Sequence, residues 1–150
     1  MARRRTHLIV GATSGAAVAA YSAREQNPWN ALAEAFGGGV GGALGSAAPD
    51  MVEPAFHSWH RSFAHSYTAA VGGTIALRRA VPSWQHRCRA EAARHEHLAQ
   101  ICVDAWSRFW HGVAAFLWRM AAGFAVGVAA GYVSHLALDV GTPRGLPLLA

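Results

Sequence analysis

The stretch GVAAFLWRMAAGFAVGVAAGYVSHLALDV, residues 112–140, decides the fold. It is apolar apart from Arg119 and its polar end, and its glycines and alanines alternate with Leu, Val and Phe. Length and composition read as one long helix. Gly141 and Pro143 supply its stop. The last turns carry chemistry. His135 and Asp139 stand four apart, so on a helix they share a face and can chelate one ion. A carboxylate in so apolar a helix is costly unless a cation, a hydrogen bond or a metal compensates it.

Upstream, residues 83–108 form the most polar region. Leu98, Ile101, Cys102, Ala105 and Phe109 recur there at helical spacing, and Arg87, Glu91, Arg94 and Glu96 suit a wet face. Pro82 separates this region from a helix expected over residues 66–81. Residues 31–47 read as a further helix, ended by Pro49. Its pairs Gly37/Gly41 and Gly38/Gly42 have the spacing that lets two helix backbones approach closely. The alternative for this run is a flexible glycine loop. A first helix is expected over residues 7–21, and residues 22–30, with Asn27 and Pro28, read as a turn. Trp106, Trp110 and Trp118 suit a membrane interface and core packing equally well.

The fold class that follows is all-α. It is a helical bundle of about four membrane-associated helices with an added polar amphipathic helix, in one domain over residues 1–150. Composition agrees: 53% of residues are hydrophobic, 14% are charged and the mean hydropathy is +0.16. An average soluble domain carries about a quarter charged residues. No run of about 18 purely apolar residues occurs, so membrane association rests on the density of small residues.

The net charge is +5 and every basic residue is Arg. The arginines are scattered singly and in pairs, with no basic stripe of interleaved aromatics, which argues against nucleic acid as a partner. The two cysteines, Cys88 and Cys102, fall in the stretch read as one helix. Fourteen helical residues span about 21 Å, too far for a disulfide. They read as small buried apolar side chains.

Two further islands accompany His135 and Asp139. Pro49-Asp50 is followed by Glu53. His60-Arg61-Ser62-Phe63-Ala64-His65-Ser66 places two histidines five apart, which suits a loop-to-helix junction with Ser66 as a cap. A lone His7 heads the first helix. If the helices run alternately up and down, His7, Asp50, His60, His65, His135 and Asp139 all fall at one end of the bundle. Histidine and carboxylate ligands suit a divalent metal, zinc above all. His57, His86, His95, His97 and His111 have no comparable placement and read as surface or interface residues.

The islands together resemble the YdjM-like family of LexA-regulated, inner-membrane metal-dependent hydrolases. That family's pattern is Pro-Asp, His-Arg-x-x-x-His-Ser, then Gly-Tyr-x-Ser-His-x-x-x-Asp-x-x-Thr-Pro-x-Gly. Here it stands at Pro49-Asp50, His60-Arg61 with His65-Ser66, and Gly131-Tyr132 through His135, Asp139, Thr142-Pro143 and Gly145. His7 matches a histidine near the family's N-terminus. The resemblance implies a hydrolase in the cell's inner membrane, acting on an ester or phosphoester, with a lipid-like or other small-molecule substrate. Metal ligands His7, Asp50, His60, His65, His135 and Asp139 are implied; by residue chemistry rather than by the family pattern, Glu53 is the candidate general base and Arg61 the candidate for holding a phosphate or a developing charge.

The chain departs from the family at two places. The usual Pro-Asp-x-Asp-His reads Val52 and Glu53 at its last two positions, so one carboxylate ligand is missing. The polar region 83–108 is longer than the family's usual connection. These departures keep a second expectation open: a non-catalytic membrane protein holding a structural metal or a haem.

The N-terminus also reads two ways. Arg3, Arg4 and Arg5 before an apolar stretch resemble an export signal. Cleavage near Ala19 would discard His7, so a retained first helix is expected. Arginines at both ends leave the membrane orientation open.

Overall fold

The computed structural model describes residues 4–52 and 67–140. They form α1 (Arg4–Ser22), α2 (Pro28–Val52), α3 (Tyr67–Ile101) and α4 (Ala105–Val140). No strand occurs among the described residues. The chain is a helical bundle, as the composition and periodicity led us to expect.

Side-chain caps set the two tight connections. Asn27 Oδ1 accepts the Asn30 N–H at 2.9 Å, and Pro28 follows as the first helical residue. An asparagine cap with proline just inside is the favoured way to start a helix. At the second connection Asp104 Oδ2 accepts the Ser107 N–H at 2.7 Å. Hydrogen bonds to the Asp104 carboxylate, chiefly from Ser107 and also from Trp106, hold its pKa below the usual value.

Several boundaries differ from the sequence reading. α2 starts at Pro28, inside the stretch read as a turn, and continues through Pro49 to Val52. Pro49 sits in the last turn, where its missing N–H costs little helix beyond it. α3 runs through Pro82 without a break. The polar region is therefore the second half of α3, not an added helix, and the chain turns at residues 102–104. Packing on α4 carries α3 past the proline: Trp84 Nε1 donates to the Ala121 carbonyl at 2.9 Å. Because α3 ends at Ile101, Cys102 lies just beyond it, and both cysteines are free thiols.

The glycine run is helical and central. α2 lies against both α1 and α4. A methyl added at Gly127 would strike the Gly38 carbonyl, and one at Gly131 would strike the Gly42 carbonyl. On the other side, a methyl at Gly15 would again meet the Gly38 carbonyl. The three helices thus touch backbone to backbone, the close approach that small residues permit.

The radial distribution is inverted relative to a water-soluble bundle. The buried apolar residues are mostly alanines, such as Ala19, Ala33, Ala92 and Ala122, whereas large apolar side chains point outward. On α2 the exposed stripe runs Trp29, Leu32, Phe36, Val40 and Leu44 at helical spacing. An apolar exterior over a small-residue interior suits hydrocarbon surroundings. Among the described residues, α4 is the one helix whose own length and hydropathy suffice to cross a membrane. Its 36 residues span about 54 Å, more than a hydrocarbon core of about 30 Å.

Candidate metal centre

Helix direction assembles the site. α1 begins near His7, α2 ends near Asp50, and His135 and Asp139 occupy the last turns of α4. His135 is fully buried, and Asp139 and His7 are nearly so, at 2% and 6% exposure. The rings of His7 and His135 lie with centroids 4.2 Å apart and planes tilted by 31°. His135 Nε2 stands 3.6 Å from Asp139 Oδ2 and 3.7 Å from Asp50 Oδ1. His7 Nε2 stands 3.9 Å from Asp139 Oδ1.

These separations exceed a direct hydrogen bond. Two imidazoles and two carboxylates thus converge. His7 Nδ1 is also buried with no hydrogen-bond partner among the described residues. Buried polar atoms left this way are expensive unless another group engages them. The donor types are those a divalent metal takes. Even so, among the described residues no group of three or more His, Cys, Asp or Glu side chains is set to hold a metal ion. The sequence-predicted residues Glu53, His60, Arg61 and His65 lie outside the described residues. Four of the six expected ligands, His7, Asp50, His135 and Asp139, are therefore brought together.

The sequence matches the YdjM inner membrane protein family over residues 1–150, the whole chain. The chain belongs to that family. No curated protein and no solved structure matches it. Membership makes this an inner membrane protein, in keeping with the apolar exterior of the bundle.

This YdjM family member also holds a charged cluster that the sequence reading missed. Farther along the bundle, Glu34 is fully buried. Its carboxylate accepts Arg89 Nε at 2.9 Å and Arg89 Nη2 at 2.6 Å. Arg119 Nη1 lies 3.8 Å from the same carboxylate. Arg119 Nε donates to Glu96 Oε1 at 3.1 Å, and its Nη1 donates to Gln26 Oε1 at 2.9 Å. Asn30 Nδ2 donates to Glu96 Oε1 as well, at 3.1 Å. Arg89 Nη2 also donates to the carbonyl of Ser22, the last residue of α1, at 3.1 Å, so two carboxylates and two guanidiniums balance in charge and draw on all four helices and the α1–α2 turn. Each charge has partners, so the cluster reads as a staple.

The sequence held one signal for it: Glu34 and Arg119 are lone charges in small-residue, apolar stretches. The pair His95 and His111 was also missed. Their Nδ1 atoms lie 2.9 Å apart across α3 and α4.

Proposed function

We propose that this chain is a membrane-bound, metal-dependent hydrolase of an ester or phosphoester, with a lipid-like substrate. One observation carries the reading: His7, His135 and Asp139, buried, and the half-exposed Asp50 meet at one end of the bundle from three different helices, at 3.6–3.9 Å. That arrangement supports a divalent ion, zinc by its donor types, held by these four side chains with His60 and His65. Such an ion, when bound, polarises an ester or phosphoryl oxygen and makes hydroxide available near neutral pH.

The chain's own residues do the rest. Asp139 faces both imidazoles, so its carboxylate sets their orientation as ligands. Glu53 takes a proton from the attacking water as general base. Arg61 receives a phosphate or the charge developing on the substrate. Beyond membership of an inner-membrane family, we place α1, α2, α4 and the first part of α3 within the bilayer, as a multi-pass protein.

A second reading, an inert metalloprotein, is favoured by Val52, where the family usually carries a carboxylate. A haem between the paired histidines is disfavoured, because the His7 and His135 rings lie with centroids only 4.2 Å apart and leave no room for a macrocycle between them.

The test is elemental analysis of protein purified without a polyhistidine tag, followed by a panel of esters and phosphodiesters. Stoichiometric zinc that disappears in His135→Ala and Asp139→Ala, with metal-dependent turnover, is the expected result. Unchanged metal content in those variants rejects the site. Metal without turnover leaves the inert reading.

A further inference from the structure

A groove of about 590 Å³ opens between α1, α3 and α4. Its walls are apolar, built by Val18, Leu77, Val81, Val126 and Val133. Hydroxyls of Ser14, Thr74 and Ser134 lie along it, and Ser134 directly precedes His135. Its lining spans Thr74 to Pro82 on α3, about 12 Å of helix, and on α4 it reaches Ser134, beside the turn that carries the His–Asp cluster. The groove holds one cation, Arg78. Arg89 and Arg119 each face a glutamate, whereas Arg78 has no carboxylate partner among the described residues.

We infer that this groove seats one acyl chain of an anionic phospholipid, with the Arg78 guanidinium on the lipid phosphate. In an inner membrane protein with an apolar exterior, hydrocarbon chains are the molecules at hand to fill an apolar groove. A guanidinium facing apolar surroundings is costly without a counter-charge, and two oxygens of a phosphate match its planar fork of donors. The cation therefore selects a lipid of net negative charge over a zwitterionic one. As a lipid seat the groove stands on its own lining. As the seat of the substrate, with the ester beside His135, it rests on the hydrolase reading.

The experiment is native mass spectrometry of the full chain in detergent, with phosphatidylglycerol and phosphatidylcholine of equal chain length offered in competition. Retention of phosphatidylglycerol several-fold over phosphatidylcholine is expected. Arg78→Gln, at an exposed position, should abolish that preference, and Arg78→Lys should keep part of it. Ala130→Trp, which fills the groove, should reduce retention of both lipids. Equal retention by the native chain, or a preference that survives Arg78→Gln, overturns the inference. His135→Ala separates the two readings. It should lose metal and turnover yet retain lipid as the native chain does, so a failed hydrolase assay leaves the lipid seat standing. Turnover that persists in Arg78→Gln after the preference is lost keeps the lipid seat and overturns only its role as the seat of the substrate.

Discussion

Arg89 reaches across the bundle to Glu34 and donates twice to its fully buried carboxylate, at 2.9 and 2.6 Å. Glu34 Oε1 also lies 3.8 Å from Arg119 Nη1, a guanidinium whose closer anion is Glu96 at 3.1 Å. Removing Glu34 takes the carboxylate from Arg89, while Arg119 keeps Glu96 and Gln26. Glu34→Ala should therefore cost about 3–5 kcal/mol, the range for breaking a buried pair by deleting one partner. Replacing both members, Glu34→Leu with Arg89→Met, should recover much of that loss. Thermal unfolding of the purified variants in one detergent checks both; equal losses in the single and double variants would refute the coupling.

Glycines should divide sharply by position. Gly127→Ala drives a methyl into the Gly38 carbonyl, so α2 and α4 must separate. A loss of about 3 kcal/mol is expected, at the upper end for overpacking. Gly112 sits in the same helix with nothing within 4 Å of an added Cβ. Gly112→Ala should leave stability unchanged or raise it by up to about 1 kcal/mol. The same melting assay reads both.

Asp104 gives a pH-dependent effect. Its folded-state pKa is lowered by the Ser107 and Trp106 hydrogen bonds, so its carboxylate stabilises the fold above the unfolded-state pKa. That contribution fades as pH falls through the lower, folded-state value. Asp104→Ala should melt earlier than the native chain at neutral pH and at the same temperature in acid. A difference that persists unchanged at low pH would show that the capping charge is not responsible.

His95 and His111 make a hydrogen bond only if one ring donates and the other accepts. A double-mutant cycle with His95→Ala and His111→Ala should give a coupling of about 0.5–1.5 kcal/mol at neutral pH. A coupling of zero would show that the two rings do not share a proton.

The sequence made one end of the bundle readable and left the other hidden. The i, i+4 spacing of His135 and Asp139, with four alternating helices, was enough to bring His7 and Asp50 to them. Glu34, Arg89, Arg119 and Glu96 escaped because each was weighed alone. Arg89 and Glu96 lie in the polar region and pass for a wet face, and their meaning appears only when α3 packs beside α4. The prolines misled for a related reason. Pro49 lies in a final turn and Pro82 in a helix held by its neighbour, so neither stops the chain where isolated propensity would. The cap at Asp104 went unread because the break was expected earlier, at Pro82.

The bare-backbone seam through Gly15, Gly38 and Gly127 bears on how this molecule can move. Where peptide planes meet with no side chains between them, there are no rotamers to exchange and no methyl groups to reshuffle. The spacing of His7 from His135 is then dictated by screw position alone. Any opening of that end must come from a whole rod sliding or turning past its neighbours.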